Sequence, residues 1–360
     1  MAKPDLLIGI LNGDDIGLEI VPASVEIARA AAARHGLTVD WRPTPIGRSA
    51  LDTHGSTLPE GTLQSLSKMD GFILGPIGHR EYPQVPGAVN PHPILRKHFN
   101  LFANIRPTRS YPGLGAIYDD IDLVIVRENN EGFQPDRNVV AGSGEFRPTE
   151  EMTISVRVIT RTGSARVARA AFEIARQRKK RLTAVHKNTV FKLGCGMFVE
   201  ECRRVAKEFP DVVLDEVIVD TMAMRLIRDP QSFDVVVTTN MFGDILTDEA
   251  AGLVGGLGMA PGLCIGEGNI AMAQATHGSA PDIAGKGIAN PYAMIESTRL
   301  MFEWLGHNRR IASAVAAAET MKRAIATALA DSGTRTRDIK GTGNTAAMTR
   351  GIIAAIEAEK

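Results

Sequence analysis

Short apolar runs rich in β-branched residues alternate along the chain with longer stretches whose apolar positions recur every three or four residues. That alternation predicts an α/β architecture rather than a helical bundle or a β-sandwich. Strands are predicted at Leu6–Leu11, Gly71–Leu74, Leu123–Val126, Met152–Ile159, Leu182–His186, Val212–Val219 and Asp234–Thr239. Helices are predicted at Gly17–Arg34, Ala165–Lys179, Met197–Glu208, Asp244–Val254, Pro291–Leu305, Arg310–Ala330 and Thr345–Ala358. The alanine-rich stretches Ala28–Ala33 and Ala312–Ala318 fit the helices that contain them, because alanine is the strongest helix former. Gly/Pro-dense segments at Gly75–Pro93, Pro107–Gly115 and Gly255–Gly268 punctuate the chain, and the first and last are long enough to be functional loops. Phe133–Pro148 is polar and Gly/Pro-rich, predicting a loop or an arm.

Composition narrows the function classes. A chain of 360 residues, at about 150 residues per domain, makes two domains or one large one. With 41 basic and 41 acidic residues the formal charge is zero, so no global field favours nucleic acid or anionic lipid, and any anion site must be local. The apolar run Leu6–Leu11 is too short for a signal segment, and no run later in the chain approaches a membrane span. Cys195, Cys202 and Cys264 show no metal-binding spacing and read as free thiols, which fit a reducing compartment and make the cytoplasm the expected location.

The chemistry concentrates where strands end. The strand Asp234–Thr239 leads through Asn240 to Asp244 and Asp248, whose spacing of four puts both carboxylates on one helical face, within reach of one hard cation. Acids at a helix start also serve the helix dipole, so the pair alone does not decide. Asp220, after the strand Val212–Val219, is a third oxygen ligand or a helix cap. Arg96, Arg106 and Arg127 each adjoin an apolar element, as bidentate carboxylate receptors or structural ion pairs would. Lys187, at the end of Leu182–His186, is a proton acceptor if a neighbouring cation and burial lower its pKa, and otherwise a surface lysine. The segment Thr276–Asn290 is glycine-rich without the Rossmann GxGxxG; its amides can approach a pyrophosphate and Asp282 can accept from ribose hydroxyls, with a surface loop as the alternative.

Four motifs carry a resemblance: Asn104-Ile-Arg-Pro107, Arg127-Glu-Asn-Asn-Glu131, Asn240-Met-Phe-Gly-Asp-Ile-Leu-Thr-Asp248 and His277-Gly-Ser-Ala-Pro-Asp-Ile-Ala-Gly285. Together with Gly13-Asp14-Asp-Ile-Gly17, they make the chain resemble the β-decarboxylating dehydrogenases of the isocitrate and isopropylmalate dehydrogenase family over nearly its whole length. The resemblance implies an isopropylmalate dehydrogenase-like two-domain α/β fold: a mixed sheet flanked by helices in the large domain, a smaller α/β dimerisation domain, and a non-Rossmann cofactor site. Residues 1–101 and 255–360 would form the discontinuous large cofactor domain, and 102–254 the small dimerisation and metal-binding domain. Arg96, Arg106 and Arg127 would grip substrate carboxylates, and Asp220, Asp244 and Asp248 would bind Mg²⁺ or Mn²⁺. Lys187 would take the hydroxyl proton, with Lys187 and Asp220 entering from the second subunit of a homodimer. NAD would lie on His277, Gly278, Ser279 and Ala280, with Asp282, Ile283 and Asn290 completing its site. Asp282-Ile283 is the NAD-type pair, since a carboxylate repels the 2′-phosphate of NADP; Arg335 and Arg337 lie in a segment that can also approach the adenosine.

The chain departs from that pattern at two places. Gln134 stands where the family carries the tyrosine thought to protonate the enolate, and an amide is no general acid. His92, Tyr82 or water would then supply the proton, or the keto acid would leave before decarboxylation. Before Arg96, Asn90 and His92 replace the usual substrate-selecting residues, and such a pair suits a polar or anionic C3 substituent better than a branched alkyl. The reading is a metal-dependent, NAD-linked, decarboxylating dehydrogenase of a 2-hydroxy dicarboxylate related to 3-substituted malate, with isopropylmalate, isocitrate, and tartrate or D-malate as candidates. Its rivals are oxidation without efficient decarboxylation and a non-catalytic, ligand-binding family member. Neither nucleic acid nor membrane is a predicted partner.

Overall fold

The computed structural model describes residues 3–133, 144–268 and 270–359, so Gln134 lies outside the described residues. Its strands are β1 (Leu6–Leu11), β2 (Val39–Pro43), β3 (Gly71–Leu74), β4 (Ala103–Arg109), β5 (Asp122–Glu128), β6 (Glu145–Thr149), β7 (Met152–Ser155), β8 (Arg181–His186), β9 (Val213–Ile218), β10 (Val235–Thr238), β11 (Leu263–Ile265) and β12 (Ala271–Gln274). The helices are α1 (Gly17–Arg34), α2 (Gly47–His54), α3 (Glu60–Leu66), α4 (Pro91–His98), α5 (Arg161–Arg176), α6 (Lys192–Ala206), α7 (Val219–Arg228), α8 (Asn240–Val254), α9 (Tyr292–Arg309), α10 (Ala312–Ala330) and α11 (Thr345–Ala358).

Ten strands form one sheet in the order β2-β1-β3-β12-β11-β4-β5-β10-β8-β9. The two flanks are parallel, and β11 and β4 join them through three antiparallel pairings, β12–β11, β11–β4 and β4–β5. The parallel strands β3 and β10 are buried throughout, as strands covered by helices on both faces must be. Helices α1, α9, α10 and α11 pack on one another beside the first flank, and α5, α6, α7 and α8 beside the second. No described helix is long and apolar enough to cross a membrane. The three cysteines are buried and free.

The observed elements correct several predicted ones. Helix α8 begins at Asn240 rather than Asp244, so neither acid stands in the first turn and the dipole explanation for the pair loses its force. The strand predicted at Met152–Ile159 ends at Ser155; it pairs only with β6 in an exposed two-stranded hairpin. The helix predicted at Arg310–Ala330 starts at Ala312, because Arg310 takes a left-handed conformation that ends α9.

Candidate active site

The centre of the site is the face of β4 and β5 that α8 covers. Side chains alternate along a strand, so Asn104 and Arg106 of β4 point to the same side as Arg127 of β5, which pairs with Asn104. Arg127 is almost wholly buried, at 1% exposure. Its guanidinium donates to Asn240 Oδ1 at 2.7 Å and forms an ion pair with Asp244. Gly243 makes that approach feasible, since a Cβ there would lie 2.6 Å from Arg127 Cγ. Arg106 donates to Thr247 Oγ1 at 2.6 Å and stands 3.7 Å from Asp244 and 3.6 Å from Asp248. Burial pushes the Arg106 guanidinium down from the ordinary arginine range, while Asp244 pulls it back up. Burial also raises the Asp248 carboxyl; Arg106 opposes this and Asp244 adds to it.

Arg96, in the last turn of α4, is buried like the other two arginines. Its Nη2 donates to Gln274 Oε1 at 3.5 Å, and its buried Nε has no hydrogen-bond partner. No carboxylate among the described residues lies within 4.0 Å of this guanidinium. The cluster therefore holds three cations and two anions, and the unbalanced charge is at Arg96. His92, one turn earlier, meets Gln274 Nε2 at 2.7 Å. Asn90 caps α4, its Oδ1 accepting from the His92 amide at 3.1 Å. Tyr82 donates its hydroxyl to the buried Asp14 carboxylate at 2.6 Å, and burial raises its pKa far above the usual phenol range, so its proton is committed elsewhere.

Lys187 and Asp220 form a separate pair at the far flank of the sheet, with Nζ donating to Oδ1 at 2.6 Å. This bond holds the Asp220 carboxyl below the usual range. Within one chain, no group of three metal-capable side chains comes together among the described residues. Asp244 and Asp248 do share one face, half exposed, and are hard oxygen donors of the type Mg²⁺ and Mn²⁺ prefer.

The glycine-rich segment lies against the start of α1: the Ser279 carbonyl accepts from the Ile16 amide at 3.1 Å, and the Gly285 amide donates to Glu19. His277 Nε2 is buried without a partner, the kind of orphaned polar atom a bound ligand satisfies. Its Nδ1 meets the Gly278 carbonyl at 2.9 Å, and burial pushes the imidazole pKa down. Ala280 has φ of 45°, Asp282 is exposed, and Ile283 is half-buried. Asn290 is used within the fold: it donates to Asp338 at 2.9 Å and accepts from the Tyr292 amide at 3.0 Å. Arg335 donates to the Gly113 carbonyl, and Arg337 opens a short 3₁₀ turn.

A cavity of about 350 Å³ opens on the opposite face of the same strands, lined by Ile105, Pro107 and Arg109 of β4 and by Leu263 and Ile265 of β11. Most of its charges are paired: Arg109 with Asp122, Arg178 with Asp122 and Asp234, Arg299 with Glu296 and Glu303. The unbalanced cation is on the other side. Sequence reasoning did not single out Gln274, Thr247 or Asn104 as supports for the arginines. Thr247 had a signal, since it lies three residues after Asp244 on the helix face that carries the acids; Gln274 had none.

The sequence model of the family described as "Isocitrate/isopropylmalate dehydrogenase" matches residues 7–356. The chain is 40% identical over 335 residues to a 3-isopropylmalate dehydrogenase of Methanothermobacter thermautotrophicus, covering 93% of each. It is 38% identical over 349 residues to an isocitrate/homoisocitrate dehydrogenase of Thermus thermophilus, covering 97% of this chain and 98% of the relative. The crystal structure of isocitrate dehydrogenase from Methylococcus capsulatus superposes with a TM-score of 0.84 at 38% identity, over 98% of this chain and 99% of that one. The chain belongs to the isocitrate/isopropylmalate dehydrogenase family and is an oxidoreductase acting on a CH–OH group.

Proposed function

We propose that this protein oxidises the hydroxyl of a malate-type 2-hydroxy dicarboxylate with NAD and a divalent metal, and that the product loses carbon dioxide. The observation that carries this reading is Arg96: a buried cation with no carboxylate partner among the described residues, near the cluster in which Arg106 and Arg127 are already balanced by Asp244 and Asp248. A buried charge of this kind is costly unless something pairs with it, and a substrate carboxylate is the natural partner. Arg106 and Arg127 orient the second carboxylate from a rigid sheet. Asp244 and Asp248 would hold Mg²⁺ or Mn²⁺, whose charge would acidify the substrate hydroxyl and stabilise the negative charge left on that oxygen when carbon dioxide departs. NAD, when bound, would supply the hydride acceptor, and the His277 Nε2 without a partner among the described residues favours a ligand on the glycine-rich segment. Asp282 favours NAD over NADP there.

A homodimer completes the site in this reading. On α7, Asp220 shares a face with Met224 and Ile227, which are 50% and 55% exposed. On α8, Asp248 shares a face with Met241 and Ile245, which are 40% and 60% exposed. Apolar side chains of this size left in water favour a second copy. Pairing these faces would bring Lys187 and Asp220 of one copy toward Asp244 and Asp248 of the other. Freed from Asp220, Lys187 would take the hydroxyl proton. The sheet order supports the domain division at residues 101/102 and 254/255, since the strands of the two parts separate at the β11–β4 pairing.

Gln134 favours a second reading, oxidation with inefficient decarboxylation. The test is one panel of isopropylmalate, isocitrate, tartrate and D-malate with NAD and Mn²⁺, scored for NADH and carbon dioxide, with a chelator control. Equal yields of the two products support decarboxylation; NADH in excess supports the second reading. Tight binding with no NADH from any of the four would leave a ligand-binding family member.

A further inference from the structure

Gln274 ends β12, and its buried amide reaches α4 between His92 and Arg96, which are four residues apart and share one helical face. Arginine can only donate. The amide oxygen therefore faces Arg96 Nη2 at 3.5 Å, and the amide NH₂ faces His92 Nε2 at 2.7 Å. The imidazole nitrogen must accept at Nε2, with the ring proton on Nδ1. A carboxylate in this place would reverse both relations, since it would neutralise Arg96 and require an N–H from His92 Nε2.

We propose that Gln274 is a positioning residue that sets the pocket's selectivity for anionic substrates. Its uncharged amide orients Arg96 and His92 together while leaving the arginine's charge for a substrate carboxylate. The three side chains form one unit: strand β12 supplies the amide, and α4 supplies the guanidinium and the imidazole that it bridges. The role of Arg96 in this inference rests on the proposed function; the hydrogen-bond arrangement does not.

Two measurements test it. In the ¹⁵N-histidine spectrum of the ligand-free protein, with His92 assigned through His92→Gln, Nε2 should resonate as an unprotonated acceptor and shift to a protonated nitrogen in Gln274→Glu. A protonated Nε2 in the unaltered protein overturns the arrangement. In steady-state kinetics with D-malate, NAD and Mn²⁺, Gln274→Glu should raise KM about 10- to 100-fold with kcat within about threefold, the effect of withdrawing one charge-assisted bond from ground and transition state alike. Gln274→Met, of similar volume and without charge, should raise KM less than about fivefold. A Glu variant with KM within about twofold of the unaltered protein, or no worse than the Met variant, overturns the proposal. Should D-malate not be turned over at all, the reaction assigned above has failed for it. The spectra and calorimetric D-malate binding then decide the role of Gln274 separately.

Discussion

Replacing Gly243 by alanine should separate activity from stability. A Cβ at this position of α8 would lie 2.6 Å from Arg127 Cγ, 2.7 Å from Arg127 Cβ and 3.2 Å from Thr238 Cγ2. Carbon atoms rest at about 3.5–4.0 Å, so the arginine stem must retreat by about 1 Å. It has nowhere to swing, because Arg127 is 1% exposed and its guanidinium is tied to Asn240 and Asp244. Overpacking of this sort costs about 1–3 kcal/mol, and alanine recovers about 1 kcal/mol over glycine inside a helix, leaving a net loss of about 0–2 kcal/mol. A displacement of about 1 Å in a substrate-orienting group, by contrast, can cost about 100-fold in rate. Thermal unfolding and kcat/KM with D-malate, NAD and Mn²⁺ are the assays, and Gly61→Ala in α3 is the control, since nothing lies within 4 Å of its added methyl. A Gly243→Ala enzyme with kcat/KM within about threefold of the unaltered protein would refute the claim that Arg127 is held to ångström tolerance by the absence of a side chain.

Three further outcomes follow from the same geometry. Burial and, after it, Glu131 raise the Glu128 carboxyl from 4.5 to about 7; the folded state then binds the extra proton, so stability falls as pH rises between those values, by up to about 3 kcal/mol. Glu128→Gln should flatten that slope in Tm measured against pH while lowering Tm overall, because its NH₂ would face one of two backbone amides, and an unchanged slope would sink the assignment. Thr247→Val removes the 2.6 Å acceptor of Arg106; a bond to a charged group is worth about 1.5–3 kcal/mol, so KM should rise at least tenfold, and an unaltered KM would show that Arg106 needs no such anchor. Met224→Glu with Ile245→Glu should yield monomers in sedimentation and a loss of turnover of more than about 100-fold, since burying a charge in an apolar contact is strongly unfavourable; a dimer of native activity would remove α7 and α8 from the proposed interface.

How much of this was legible in the sequence depends on what each residue answers to. Elements that answer only to core and solvent read cleanly: β1 at Leu6–Leu11, β3 at Gly71–Leu74, α1 at Gly17–Arg34 and α11 at Thr345–Ala358 were delimited from pattern alone. Strand β4 was not, because its two faces serve different masters. Asn104, Arg106 and Thr108 point to the site while Ile105, Pro107 and Arg109 point to the opposite cavity, so no apolar alternation survives. Strands β11 and β12 are too short to show a period, and α4 begins Pro-His-Pro. Charged residues at strand and helix ends were legible as chemistry, since a buried arginine or a pair of acids four apart demands a reason. Residues that hold those groups in place demand none: Gly243 shows only as a missing side chain, and Gln274 only as an ordinary amide. Their roles exist in the distances, 2.6 Å of unavailable space in one case and a bridge between two α4 side chains in the other. On the proposed reading the precision of the site resides in residues whose chemistry is neutral, and it is these, rather than the charged groups already conspicuous in the sequence, that would decide which carboxylates the arginines accept.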